Sequence, residues 1–148
     1  DKLYFGKLLS GFFLILSVQL FLLLIFVVAA KVDGISFDLS LAVHIKWLLL
    51  SVVASFPIMT LQSFVTAKTR NFSKVVGVAT IGSMLNFVLI FINENLTKFF
   101  PYSQPMIALR SRSLTDMSLI DLTIFLVVNS LYSLLFYKLT VAALKKNE

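Results

Sequence analysis

Cysteine is absent from the chain, so neither a disulfide nor a thiolate metal site is available to it. Charge is scarce. Only 14% of the 148 residues are Asp, Glu, Lys or Arg, against about 25% in soluble globular domains. Histidine occurs once, at His44, in a loop near the edge of an apolar run, and a lone imidazole there reads as structural rather than catalytic. No GxxxxGK[ST] phosphate loop is present, so any uphill movement of a substrate would take its energy from another chain.

What the sequence has instead is apolar length. Leu8–Ala30, Trp47–Ala67, Val75–Asn93 and Leu122–Tyr137 carry no charged side chain. A hydrocarbon core about 30 Å thick needs roughly 20 residues at 1.5 Å each. The fourth stretch reaches that length at Leu144 if Lys138 extends its ammonium to the interface. In the first stretch 17 residues are Leu, Ile, Phe or Val, which favours insertion by about 5 to 10 kcal/mol. Such helices are apolar all round and cannot form a water-soluble core. The fold class read from the sequence is all-α, a polytopic membrane helix bundle forming one transmembrane domain over 1–148. Its spans cover about 8–30, 47–67, 75–93 and 122–144. The first span is too long for the apolar region of a signal peptide and is read as a retained helix.

The formal net charge is +6. At the ends of membrane spans, basic residues serve orientation and lipid headgroups rather than nucleic acid. Lys2, Lys7, Lys68, Arg70, Lys74, Lys138, Lys145 and Lys146 fall on one side of the four spans. Lys31, Lys46, Lys98, Arg110 and Arg112 fall on the other, countered by Asp33, Asp38, Glu94, Asp116 and Asp121. The asymmetry predicts that both termini of this segment are cytoplasmic. It leaves Lys68–Lys74 as a tight inner turn and Lys31–Lys46 and Glu94–Asp121 as longer outer loops. Pro101 and Pro105 break any helix in the second outer loop.

The spans lack ionisable groups in their interiors, which argues against an ion-coupled carrier, an intramembrane protease or a metalloenzyme. No cofactor, metal site or catalytic residue is expected. Their polar content is small and neutral. Ala79 and Ser83 form a small-xxx-small pair, Gly82 and Asn86 continue that face, and Gly77 and Thr80 add positions of close approach. This face reads as tight helix packing, or as a sliding or gating face between subunits near a pathway. Asn129, Ser130, Ser133, Gln19 and Ser17 are candidates for interhelical hydrogen bonds worth about 0.6 kcal/mol each. Pro57, in the middle of the second span, is expected to kink it and to act as a hinge.

Leu61–Phe72 reads L-Q-S-F-V-T-A-K-T-R-N-F. The Gly-containing span V-G-V-A-T-I-G follows, and then K-F-F-P-Y-S-Q-P. The basic R-N-F turn, the Gly-containing helix after it and P-Y-S near the start of the last outer loop resemble the membrane subunit of a type-2 ABC exporter. More narrowly, they are similar to permeases of the lantibiotic (bacteriocin) self-immunity group. The resemblance covers about half the chain. It implies a bacterial cell-membrane permease of six spans, of which these are the last four, with the missing part lying before Asp1. It implies a dimer with a second permease subunit, identical or homologous, served by separate ATP-binding subunits and moving amphiphilic peptides or lipids outward. In that alignment Lys68, Arg70, Asn71, Phe72 and Lys74 contact the ATPase, and Gly77, Gly82, Ser83, Asn86 and Asn129 serve packing or the pathway. The rival reading is a small non-transporting membrane protein, an assembly factor or sensor partner. In it the same basic turn simply anchors to anionic headgroups.

Overall fold

The computed structural model describes residues 2–34, 41–109 and 117–145. Asp38, Arg110, Arg112, Asp116 and Lys146, all used in the orientation argument, lie outside the described residues. Every regular element among those residues is helical. The long helices are α1 (Lys2–Val32), α2 (Leu41–Thr69), α3 (Phe72–Ile92) and α6 (Leu119–Lys145). Between the last two lie α4 (Glu94–Thr97), a 3-10 turn (Pro101–Ser103) and α5 (Gln104–Ala108). The four long helices have the length and apolarity to cross a membrane. The chain is therefore a membrane-embedded, all-α bundle, as its composition requires.

The helices run past the apolar stretches at most ends, because a helix satisfies its own backbone beyond the hydrocarbon edge as well as within it. His44 and Lys46 consequently sit inside α2 rather than in a loop. The inner turn is shorter than its basic sequence suggests. Lys68 and Thr69 end α2, Phe72 begins α3, and only Arg70 and Asn71 are non-helical. Arg70 stops α2 by taking a left-handed φ of 48°, a conformation glycine or asparagine usually supplies at this position. Asn71 then caps α3, its side chain accepting from the Lys74 amide at 3.2 Å, which satisfies one of the donors a helix start leaves open.

Helix α2 is the hub. It packs most extensively on α6 and also against α1, α3 and α5. Ala54 of α2, Ala108 of α5 and Phe125 of α6 form a buried apolar cluster. Two alanines at one contact let backbones approach closely, which is how membrane helices gain packing energy when the surroundings are as apolar as they are. Pro57 is fully buried within α2. It has no N–H, so the Val53 carbonyl has no α-helical partner there. Helix α1 is attached more loosely, through Gly11 against Met59, Phe12 against Phe56 at 5.9 Å and Tyr4 stacked on Tyr137 at 5.3 Å.

The segment between α3 and α6 turns back into the bundle. Asn93 ends α3 and at once caps α4, accepting from the Asn95 amide at 2.9 Å. Lys98 is held at the start of α6 by Asp121, at 2.8 Å. Beyond Lys98 the chain dips inward. Pro101 and Pro105, expected only to break a helix, instead open the 3-10 turn and α5, where a missing N–H costs nothing. The result is a short Pro-started double turn packed among the long helices.

Candidate functional site

Three consecutive residues of that returning segment reach three different helices. The ring of Tyr102 lies flat against Gly82 of α3. A Cβ at Gly82 would stand 2.6 Å from two of the ring carbons and closer still to a third. Only the missing side chain of glycine permits the contact. The Tyr102 hydroxyl accepts from Nε2 of Gln62 on α2 at 2.5 Å. Ser103 is fully buried and its hydroxyl donates to Oδ1 of Asn86 on α3. Gln104 is fully buried as well. Its Nε2 donates to the carbonyls of Lys98 at 2.9 Å and Phe100 at 3.1 Å, and its Oε1 accepts from Nδ2 of Asn129 on α6 at 2.8 Å.

The depth of this node follows from helix geometry. Gly82 is the eleventh of the 21 residues of α3, so it stands about 15 Å from either end at 1.5 Å per residue. Asn129 lies ten residues into α6, again about 15 Å. The Pro101–Gln104 turn therefore sits near the middle of the apolar layer. Backbone that breaks from the long helices at such depth is stable only where protein surrounds it or a cavity is lined by it. Here the side-chain amides of Gln62, Asn86, Gln104 and Asn129 supply the polar surroundings. The match is incomplete. Oε1 of Gln62 and Oδ1 of Asn129 are buried and accept no hydrogen bond from any described residue.

Of the pathway or packing residues read from the sequence, Gly82, Asn86 and Asn129 come together at this node. Their partner is the returning segment rather than another long helix. Gly77 and Ser83 lie elsewhere. A Cβ at Gly77 would meet nothing within 4 Å, and Ser83 is exposed, its hydroxyl turned back to the Ala79 carbonyl at 3.0 Å. Gln19 makes the expected interhelical bond, accepting from the Ser51 hydroxyl, whereas the Ser17 hydroxyl donates to Phe13 of its own helix at 2.8 Å. Gln62, Tyr102, Ser103 and Gln104 join the node without being among the residues that the sequence pattern marks. A signal for them exists, since Gln62 is the large amide in the second apolar stretch, and Y-S-Q is a polar triplet between two prolines.

At the turn where α2 meets the start of α3, Lys68, Arg70, Asn71, Phe72 and Lys74 are all exposed, Phe72 at 83%. Lys68 lies over the Phe64 ring at 5.8 Å, within cation–π range. Among the described residues no group of three or more His, Asp or Glu is gathered to hold a metal ion. No family model, no curated protein and no solved structure matches the chain.

Proposed function

We propose that the chain is the membrane-spanning permease part of an ABC exporter of the bacterial cell membrane, with ATP hydrolysed on a separate subunit and an amphiphilic peptide or lipid as cargo. One observation carries the reading. The three sequence pieces behind the resemblance form one mechanical line. The basic turn 68–74 is exposed at one end, α3 rises from it, and the Tyr of P-Y-S is seated on Gly82 at mid-helix.

A rigid helix transmits displacement along its axis. A partner that pushes the turn moves α2 and α3 together, and Tyr102 is held by one residue of each, Gln62 and Gly82. The motion therefore arrives at the short double turn, Pro101–Ser103 and α5, that returns among the long helices. Phe72 suits the role of buried anchor in such a contact, with Lys68, Arg70 and Lys74 on its rim. In this reading the turn faces the cytoplasm, both termini of the segment are cytoplasmic, and a second permease subunit completes the pathway.

The test is purification of the full-length protein from its own membranes in mild detergent. A phosphate-loop ATPase should co-purify. Phe72→Ala should lose that subunit and uncouple ATP hydrolysis from efflux of a labelled amphiphilic peptide in vesicles, while insertion stays normal. A wild-type preparation with no ATPase and no ATP-dependent efflux overturns the proposal and favours an assembly factor or sensor partner.

A further inference from the structure

Helices α2 and α6 run in the same direction, and their contacts fix one register. Ala54 and Phe125 share the buried cluster, with Val53 packed against it. Further along both helices, Phe64 meets Phe136 at 6.1 Å between ring centroids. Pro57, one turn after Ala54, is therefore level with Asn129, one turn after Phe125. Both Pro57 and Asn129 are fully buried.

This seam holds two oxygens that lack donors. The Val53 carbonyl has no α-helical partner, because Pro57 has no N–H. Oδ1 of Asn129 is buried and accepts no hydrogen bond from any described residue. The side-chain donors around them are spent. The Asn129 amide gives its two protons to Oε1 of Gln104 at 2.8 Å and to the Phe125 carbonyl at 2.6 Å. The Gln104 amide gives both of its protons to the Lys98 and Phe100 carbonyls. On α2 the Ser55 hydroxyl donates to the Ser51 carbonyl, and that of Thr60 to the Phe56 and Pro57 carbonyls. Two acceptors do not satisfy each other, so whatever joins them brings two protons.

We propose that one water molecule is bound between the Val53 carbonyl and Oδ1 of Asn129, donating a proton to each. Water is the smallest group with two donors. Ordered water is one of the ways in which a carbonyl freed by proline is satisfied inside a membrane helix, and a buried water needs two or more polar partners. A cation would also bridge two oxygens, but no carboxylate lies in any of the four apolar stretches to balance it, and an unpaired charge at mid-depth is costly. The water joins α2 to α6 at the place where α2 lacks a hydrogen bond of its own. The inference stands apart from the exporter reading, since it needs neither an ATPase nor transport.

The test is millisecond hydroxyl-radical labelling, by X-ray radiolysis of water, of the full-length protein in lipid nanodiscs. Radicals formed from a bound water mark the side chains beside it, however deep they lie. Pro57 should be oxidised several-fold faster than Val52, a buried residue of the same helix. Asn129→Leu should bring the Pro57 rate down to that of Val52. Equal rates for the two residues in the wild-type protein would overturn the proposal, and that arm decides the matter even if a variant does not fold. Melting temperatures supply a second arm. In Pro57→Ala the new N–H serves the Val53 carbonyl, so Asn129→Leu should lower the melting temperature less in that background than in the wild type. Gln104→Leu leaves both water acceptors in place and should lower it equally in the two backgrounds. An equal drop for Asn129→Leu would overturn the shared site, and a Gln104→Leu drop that also depends on Pro57 would assign the coupling to packing instead. A melting temperature raised by sodium or potassium over choline, with the rise lost in Asn129→Leu, would replace the water with a cation.

Discussion

Tyr102 and Gly82 are in face-to-backbone contact at the midpoint of α3, and no residue larger than glycine fits beneath the ring. The contact ties a loop residue to the centre of a helix about 31 Å long. Gly82→Ala should therefore lower the thermal stability of the purified protein by about 1–3 kcal/mol, the range for overpacking a tight contact. Adding Tyr102→Ala should remove much of that penalty, because the two residues share one contact and their effects are not additive. Thermal aggregation in mild detergent measures both. Gly11 offers the control. A Cβ there would meet the Met59 sulfur at 2.6 Å, but a flexible thioether can step aside, so Gly11→Ala should cost less than Gly82→Ala.

Asn129 and Gln104 form a buried amide pair. Asn129→Leu leaves Oε1 of Gln104 without its donor and should destabilise the protein by about 1–3 kcal/mol. Gln104→Leu also takes the donor from the Lys98 and Phe100 carbonyls, so changing both residues to Leu should cost more than Asn129→Leu alone but less than the sum of the two single variants. A double variant as unstable as the sum of the two single variants would show that each amide acts independently.

Lys98 and Asp121 lie about one-third exposed where the returning segment meets the start of α6. Asp121 also accepts from the Ser118 hydroxyl at 2.8 Å and donates its amide to that oxygen at 3.1 Å, a reciprocal cap of the helix start. Lys98→Ala should cost no more than about 1 kcal/mol, as befits a partly exposed ion pair. Asp121→Ala should cost more, because it removes the cap as well. Comparing the two melting temperatures checks this order.

The absence of native cysteine makes labelling direct. A single cysteine at Asn95 should react with an impermeant thiol reagent from outside intact cells, whereas one at Phe72 should not. A cysteine at Tyr102, only seven residues from Asn95, should be protected in folded protein and react after denaturation. Outside labelling at Phe72 would reverse the orientation, and ready labelling at Tyr102 would remove the returning segment from the apolar layer.

The four spans were legible in the sequence because uncharged length is a direct physical requirement of hydrocarbon. That Gly82, Asn86 and Asn129 make contacts was legible too, since glycine and amides inside such helices are costly unless they contact something. Their partner was not. Pro101, Tyr102, Ser103 and Gln104 have the composition of a solvated loop, and nothing local distinguishes a polar turn in water from one whose water has been replaced by side-chain amides. Asn71 was read as a docking residue. Its bond to the Lys74 amide gives it a capping role besides, which follows from the N-x-x-K spacing only once the helix start is known.

The node also fixes an order of events. Tyr102 meets Gln62 and Gly82, and Ser103 meets Asn86, all upstream of the turn. Gln104 instead needs Asn129, 25 residues downstream. A ribosome adds about 5–20 residues per second, so the nascent turn waits roughly 1–5 s between its first partners and its last. During that interval Oε1 of Gln104 waits for its donor, while its Nε2 is already met by the Lys98 and Phe100 carbonyls. A slow codon, a cold membrane or a delayed α6 lengthens the wait, so the yield of correctly assembled protein should depend on how quickly residues 105–129 are made.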